Sequence, residues 1–455
     1  MKTEPLDYQI PVIEKIKNKD SFALFMEYGT GKSYIILYWI YHNLKKLKGP
    51  VLIVGKKTNI IEGNAWTTEI NTHTYLPYRT LTGTKEQKLN VLHNNTLLPV
   101  IYLINYESLK HMEKELIEKK FSVIVFDEST SIKNPKAKVT KTAIKLSKQI
   151  PHRIIATGFP VSEHLDELWS QYFVIDQGNI LESSYWKFMN KYFYRWRFGW
   201  SIKKNKDKEI INKIQHNCVF IKLKNCLKLP PKTNKYIALD PTKRQLRYMD
   251  KLKHDFSLDF KNKKLSLEFK HVLPVLTKSQ QICSGFILFS NSETVKFRTP
   301  KSKHILNLCK NILEKKIIWC KYIEETEQIY NLLLRNNLKP LLLSSKDNNV
   351  LQASILNNFK NYPNFKILIT TYNILNSGET LSSCNYSIHY SYTWSNHITT
   401  NAKRRIYRKG SEIHKKINYI YLYIKDSVEE EIIKNLEKKK IMQRKLKEYM
   451  ENWLW

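Results

Sequence analysis

Phe22-Ala23-Leu24-Phe25-Met26-Glu27-Tyr28-Gly29-Thr30-Gly31-Lys32-Ser33, followed by Tyr34-Ile35-Ile36-Leu37-Tyr38-Trp39-Ile40, is the stretch that decides how this chain folds. An apolar run of strand length, a turn with two glycines and an apolar helical pattern follow one another, which predicts strand, loop, helix. Gly29 and Gly31 let backbone N–H groups, that of Thr30 among them, approach phosphate oxygens. The helix N-terminus favours negative charge, and Lys32 adds a point charge for the β- and γ-phosphates. Ser33 offers its hydroxyl to Mg²⁺. Met26 stands where the full phosphate-loop pattern has its first glycine, so the second half of that pattern is the part matched.

Outward from this loop, short β-rich runs alternate with helical patterns. After FALFME come VLIVG at Val51, VIYLI at Val100, VIVFDE at Val123 and RIIATG at Arg153. Such alternation implies a parallel sheet with crossover helices. Beyond Asp176 the text becomes Lys- and aromatic-rich with few clean strands, which predicts a mostly helical insert. From about Pro300 the alternation resumes with KIIWCK at Lys316, PLLLSS at Pro340, KILITT at Lys366, YSIHYS at Tyr386 and INYIYLYI at Ile417. The expected division is residues 1–175, an α/β lobe; 176–295, the insert; and 296–455, a second α/β lobe. From Val428 that lobe continues as a charged helical tail ending in Trp453-Leu454-Trp455. At about 150 residues per domain, 455 residues also suggest roughly three compact parts.

Asp127 and Glu128 close the Val123 run, as adjacent carboxylates at a strand end. Asp127 would join the Mg²⁺ shell, and Glu128 would orient and polarise an attacking water. A pair of acids capping the next helix is the plainer alternative.

Lys and Arg number 76 against 41 Asp and Glu, a net charge of +35 that favours a polyanionic partner, although a solvated Lys-rich surface would produce the same balance. With 42% apolar and 12% aromatic residues, a disordered basic chain is excluded. The six cysteines form no Cys-x-x-Cys pair, so neither zinc nor a disulfide framework is indicated, and reduced core thiols are expected. The start, MKTEPL, lacks an apolar core and the Ile35–Ile40 stretch is too short for a bilayer, so a soluble, intracellular protein with no membrane partner is expected. The composition also suits a phage-encoded protein working in a host cytoplasm.

The wider text resembles the Swi/Snf-like ATPases and DNA translocases of helicase superfamily 2. Asp127-Glu128-Ser129-Thr130-Ser131-Ile132-Lys133-Asn134 is similar to that family's Asp-Glu-x-His box with its hydrophobic-Lys-Asn suffix. Leu6-Asp7-Tyr8-Gln9 resembles the upstream glutamine motif, and Thr157-Gly158-Phe159-Pro160 with Glu167-Leu168-Trp169 resembles the Thr-Gly-Thr-Pro motif and its helix. Leu229-Pro230-Pro231-Lys232, then Gln245 and Tyr248, resemble the text leading to the second lobe. There, Gly378 with Leu381, Trp394-Ser395-Asn396, the run from Asn401 to Ser411 and Ser427-Val428-Glu429-Glu430 follow in family order. The chain departs from the pattern at Met26, Thr130, Phe159, Asn401 and Ser411.

The resemblance implies two RecA-like parallel-sheet lobes with a mostly helical insert, and an enzyme that hydrolyses ATP with Mg²⁺ when stimulated by nucleic acid. It implies Gln9, Gly29, Thr30, Gly31, Lys32 and Ser33 at the nucleotide, Ser33 and Asp127 at the metal, and Lys32, Asp127, Glu128, Arg405 and Arg408 in catalysis. The two arginines fall on the finger positions, where a fixed guanidinium bonds γ-phosphoryl oxygens. Lys57, Asn105, Tyr106 and Thr371, each after a strand, are the implied phosphate contacts on double-stranded or branched DNA. Arg195, Trp196 and Arg197 interleave cations with rings, as a stacking platform requires; an aromatic core with Arg on its rim is the competing reading. Remodelling of DNA junctions, forks or DNA-bound proteins, with branch migration as in lean phage-encoded helicases, is the function implied. A strand-separating DNA or RNA helicase and an ATP-binding scaffold with little turnover remain alternatives.

Overall fold

The structure, a computed structural model, describes residues 1–61, 63, 65–94, 100–161, 164–196, 199–221, 226, 228–254, 257–260, 265–268, 272–289, 293–375 and 380–437. Gly378, Arg197 and the tail residues Trp453-Leu454-Trp455 therefore lie outside the described residues. The described chain forms two compact units, one up to residue 227 and one from Lys228 to residue 437.

Unit 1 is built on a seven-stranded, wholly parallel sheet. Its strands are β1 (Ser21–Met26), β2 (Val51–Gly55), β3 (Tyr78–Leu81), β4 (Ile101–Asn105), β5 (Val123–Asp127), β6 (His152–Thr157) and, after a hairpin formed by β7 (Phe193–Trp196) and β8 (Gly199–Ile202), β9 (Cys218–Ile221). The spatial order is β3-β4-β2-β5-β6-β1-β9. Helices cover both faces, so the central strands read as continuous apolar runs. Period-two alternation sorts them between two cores: Ala23 and Phe25 of β1 join the cluster with Phe126, Ile155 and Tyr172, while Phe22, Leu24 and Met26 join that with Val125, Ile154 and Trp39.

Unit 2 holds a six-stranded parallel sheet, ordered β10-β19-β18-β15-β17-β16, from β10 (Lys232–Leu239), β15 (Lys316–Cys320), β16 (Pro340–Leu343), β17 (Ile367–Thr371), β18 (Tyr386–His389) and β19 (Ile417–Ile424). Two antiparallel hairpins, β11 (Ser257–Phe260) with β12 (Leu265–Glu268) and β13 (Phe286–Leu288) with β14 (Thr294–Lys296), precede its main body. Gln245, fully buried, donates from Nε2 to the carbonyls of Ile282 (3.0 Å) and Cys283 (3.3 Å), tying the Lys243–His254 helix to the Val272–Ser284 helix.

Two parallel sheets flanked by helices are the α/β fold class expected from the alternation. Every β-rich run quoted from the sequence is a strand. Three further strands of these two parallel sheets, β3, β9 and β10, were not singled out, and β9 and β10 both lie within 176–295, each at the edge of a different sheet. The aromatic stretch at 193–202 contains an antiparallel strand pair, β7 with β8, whose register sets Phe193 opposite Ile202 and Trp196 opposite Gly199. Among the described residues no helix is long and apolar enough to cross a membrane.

Candidate functional site

In unit 1 three loops emerge from the carboxyl ends of neighbouring strands. The glycine loop follows β1, Asp127 ends β5, and Thr157 ends β6, which lies between them; the register pairs Phe25 with Thr157 and Asp127 with Ala156. Two inter-strand spacings, about 10 Å, therefore separate the loop from the carboxylates, a span that a triphosphate and a metal ion can bridge.

Gly29 and Gly31 both take positive φ, +83° and +76°, which a side chain would strain. Gly31 is the N-cap of the Lys32–Asn43 helix, so the first-turn N–H groups point out over the loop. A Cβ on Gly31 would lie 2.2 Å from Gln9 Nε2, so the glutamine is packed directly on the loop; its Oε1 accepts the Leu6 N–H at 2.9 Å. Lys32 Nζ donates to the Met26 carbonyl at 2.8 Å and lies 4.6 Å from the centre of the Tyr28 ring. The amine is thus held over the loop, and Met26 contributes a backbone acceptor to the position where the full pattern has glycine. Thr30 is buried, its hydroxyl donating to the Glu27 carbonyl at 2.6 Å. Ser33 lies one residue into the helix. Two positive-φ glycines, a helix N-terminus, an ammonium and the hydroxyl of Ser33 in the helix's first turn suit a Mg²⁺-bound triphosphate.

At the facing strand ends, Trp66 Nε1 donates to Asp127 Oδ2 at 2.9 Å, leaving Asp127 Oδ1 for another ligand. Glu128 is buried in a left-handed conformation (φ +56°), an arrangement found where surrounding structure holds a strained backbone. Its Oε2 accepts the Thr157 hydroxyl at 3.3 Å. The loops behind these groups are cross-tied. Lys133, of the family-type suffix, pairs with Glu167 at 2.7 Å. Gln171, fully buried, accepts the Ser129 hydroxyl at 2.7 Å and donates to the Pro160 carbonyl at 2.6 Å. One side chain therefore holds both the Asp127–Asn134 loop and the Thr157–Pro160 loop. Trp66 and Gln171 were missed in the sequence, since neither position carries a local pattern; only strand order brings them to the carboxylates.

The expected phosphate contacts sit at carboxyl ends of strands but differ in presentation. Lys57 is exposed after β2. Asn105 is committed internally, its Nδ2 to Glu107 at 2.6 Å and its Oδ1 to Ser108 at 2.6 Å. Tyr106 turns inward and donates to the Asp127 carbonyl at 2.8 Å; burial, with Asp127 and Glu107 nearby, pushes its hydroxyl well above the usual phenol range. In this arrangement Tyr106 supports the carboxylate strand. Arg195 and Trp196 lie exposed on β7 of the β7–β8 hairpin, and Arg197 lies outside the described residues.

In unit 2, Thr371 ends β17 and is buried. The Asn396–Arg404 helix, capped by Ser395, leads into the arginine motif. Arg405 is buried, its carbonyl accepting the Leu381 N–H at 2.8 Å, and Arg408 donates to Thr380 Oγ1 and the Arg404 carbonyl, both at 3.1 Å. The motif segments around 381 and 405–408 thus meet, while Gly378 lies outside the described residues. Glu429 forms a fully buried ion pair with Lys301, whose amine also donates to the Tyr390 carbonyl at 2.6 Å.

The helicase conserved C-terminal domain matches residues 300–410. A Drosophila melanogaster protein named SWI/SNF-related matrix-associated actin-dependent regulator of chromatin subfamily A-like protein 1 is 23% identical over 341 residues, 71% of this chain and 42% of that protein. A Mycoplasma genitalium protein named as an uncharacterized ATP-dependent helicase is 22% identical over 419 residues, 89% of this chain and 38% of that protein. The chain thus spans about two fifths of the length of these relatives. A solved structure described as the Sulfolobus solfataricus SWI2/SNF2 ATPase core in complex with dsDNA aligns with 98% of this chain and 93% of that one, at 21% identity and a TM-score of 0.46. The SNF2-related domain matches residues 12–286, more than half of the chain, and the protein belongs to that family, the Swi/Snf-like branch of helicase superfamily 2.

Proposed function

We propose that this chain is an ATP-dependent double-stranded DNA translocase that remodels DNA junctions, forks or DNA-bound proteins. The observation that carries the reading is the convergence of the glycine loop, the Asp127–Glu128 pair and Thr157 on three adjacent carboxyl ends of one parallel sheet. Phosphoryl transfer needs an anion cradle and a carboxylate pair on neighbouring strand ends, and little else from the protein. In this reading Gly29 to Ser33 hold the phosphates, Lys32 neutralises them, Gln9 packs on the nucleotide side of the loop, and Ser33 with Asp127 hold Mg²⁺. The metal would supply charge neutralisation between the β- and γ-phosphates. Glu128, positioned by Thr157, orients the attacking water. Arg405 and Arg408 stabilise charge on the transferred phosphoryl group. The family membership and a net charge of +35 support DNA as the track, bound through its phosphates. Lys57, exposed after β2, and Thr371, at the end of β17, are the proposed backbone contacts; Asn105, committed to Glu107 and Ser108, is not among them.

Steady-state ATP hydrolysis tests this with no nucleic acid, single-stranded DNA, blunt duplex, a four-way junction and duplex RNA, using Glu128→Gln as the blank. Stimulation by duplex or junction is expected. Stimulation by single strands or RNA alone would replace the proposal with an unwinding helicase, and hydrolysis at blank level throughout would replace it with an ATP-binding scaffold.

A further inference from the structure

Trp66 stands in the first turn of the Ala65–His73 helix, 61 positions from Asp127, and is 1% exposed. The neighbouring strand delivers it to the carboxylate. β2 pairs with β5 so that Val54 faces Phe126, which sets Gly55 beside Asp127 where both strands end. A Cβ on Gly55 would lie 3.1 Å from Ile60 Cγ2 and 3.9 Å from Trp66 Nε1, so the bare strand end leaves the indole room to reach across. The ring is fixed within the cluster of Ile53, Ile60, Ile70 and Val125.

The acceptor separates this indole from the others. Trp169 and Trp319, also buried, donate to neutral groups, the Glu182 carbonyl and the Ser387 hydroxyl, both at 3.1 Å. Trp66 donates at 2.9 Å to a carboxylate oxygen, Asp127 Oδ2. An indole has one donor, no acceptor and no charge, so it orients the carboxylate and leaves the negative charge for a cation, which a lysine or arginine in its place would cancel. The main chain of Asp127 is held separately, its carbonyl accepting the Tyr106 hydroxyl at 2.8 Å. With backbone and Oδ2 both anchored, Oδ1 is the oxygen presented.

Presentation through one oxygen discriminates between divalent cations. Mg²⁺ demands a near-ideal octahedron, which the narrow bite of a bidentate carboxylate would distort; Ca²⁺ is larger, takes more ligands in flexible geometry and accepts a carboxylate through one oxygen or both. An Oδ2 committed to a buried N–H withholds the second oxygen.

We propose that Trp66 is a positioning residue that fixes the Asp127 carboxylate for coordination through one oxygen and so makes the nucleotide site selective for Mg²⁺ over Ca²⁺. It rests on the assignment of Asp127 to the metal, and deepens that assignment by naming what sets the identity of the ion.

The test measures, by anisotropy and without nucleic acid, the affinity of the full chain for a fluorescent non-hydrolysable ATP analogue in EDTA, in saturating Mg²⁺ and in saturating Ca²⁺. The gain each metal brings over EDTA is compared among wild type, Trp66→Phe, Ile70→Ala and Asp127→Asn. Trp66→Phe keeps an aromatic ring and loses the N–H. Ile70, buried one turn further along the same helix, reports on loosening of that helix alone. In Trp66→Phe the Mg²⁺ gain should fall about tenfold and the Ca²⁺ gain by less than about threefold, while Ile70→Ala should keep the wild-type ratio of the two gains. A chain carrying benzothienylalanine at position 66, which retains the shape of the ring and lacks only the N–H, should behave as Trp66→Phe does. Equal losses with both metals, no loss with either, or the same change of ratio in Ile70→Ala overturn the proposal, as does a wild type that gains no more from Mg²⁺ than from Ca²⁺. Asp127→Asn keeps this failure apart from that of the site reading. If Asp127→Asn loses the Mg²⁺ gain and Trp66→Phe does not, only the role of Trp66 falls; a Mg²⁺ gain undiminished in Asp127→Asn removes Asp127 from the metal, and the role of Trp66 with it.

Discussion

Replacing Lys301 by Met keeps the length of the side chain and removes its ammonium from a site with no solvent exposure. In the folded chain that ammonium contacts Glu429 and the Tyr390 carbonyl, and Glu429 in turn accepts the Ile424 N–H at 3.1 Å. Burial raises the Glu429 carboxyl above its ordinary range, Lys301 pulls it back, and the neighbouring Glu325, itself raised by burial, pushes it up again. Without Lys301 the carboxylate is buried with no counter-charge, and breaking one side of such a pair costs about 3–5 kcal/mol. A carboxyl whose folded pKa lies above its unfolded value loses stability as pH rises through the folded value. The deficit of Lys301→Met should therefore be largest near pH 8 and shrink toward pH 5.5, with a slope of at most about 1.4 kcal/mol per pH unit. Hydrogen exchange of β19 amides, corrected for intrinsic rates, reads this within unit 2 alone, and at pH 8 exchange about 150- to 5,000-fold faster is expected. Lys301→Met/Glu429→Leu should recover most of the loss, since an apolar pair of similar volume replaces the ionic one. A deficit below about 1 kcal/mol, or one equal at both pH values, would refute the reasoning.

Three further outcomes are expected. Gly31→Ala puts a methyl group where Gln9 packs and strains a φ of +76°, so binding of a fluorescent ATP analogue should weaken by at least about tenfold; unaltered affinity would mean that the loop does not cradle phosphate. Gln171→Leu leaves the Ser129 hydroxyl and the Pro160 carbonyl without their partner, about 1–3 kcal/mol each, and kcat of DNA-stimulated hydrolysis should fall about tenfold; adding Ser129→Ala should restore part of it, and additive losses would show that the two residues do not act together. Burial pushes the Cys218 and Cys226 thiols up to about 11 and those of Cys309 and Cys384 to about 12, so at pH 8 a thiol reagent should label the native chain slowly and first at half-buried Cys226; rapid labelling of several cysteines would contradict the buried assignment.

What was legible in this chain was legible for a local reason. The phosphate-loop text, the apolar runs of both sheets and the carboxylates at the end of β5 each depend on residues within a few positions of one another, where periodicity and glycine content carry the information. The unrecognised strands show where that ends. β3 and β10 are polar edge strands with little burial, and β9, although buried on both faces, is only four residues long. The 193–202 stretch was ambiguous because its aromatic residues suit a core as well as a platform, and only the hairpin register shows that alternate rings go to opposite faces.

The sequence by itself determined the family and the fold class, and it supplied the residues proposed for phosphate chemistry, because those follow from motifs and from short-range alternation. Tertiary structure alone decided what each residue faces: that β6 lies between β1 and β5, that Trp66 and Gln171 hold the carboxylate loops, that Tyr106 turns inward, and that Lys301 finds Glu429 across 128 positions. Such pairings depend on burial among groups distant in the chain, where an unpartnered polar atom is costly and the fold is selected to supply the partner.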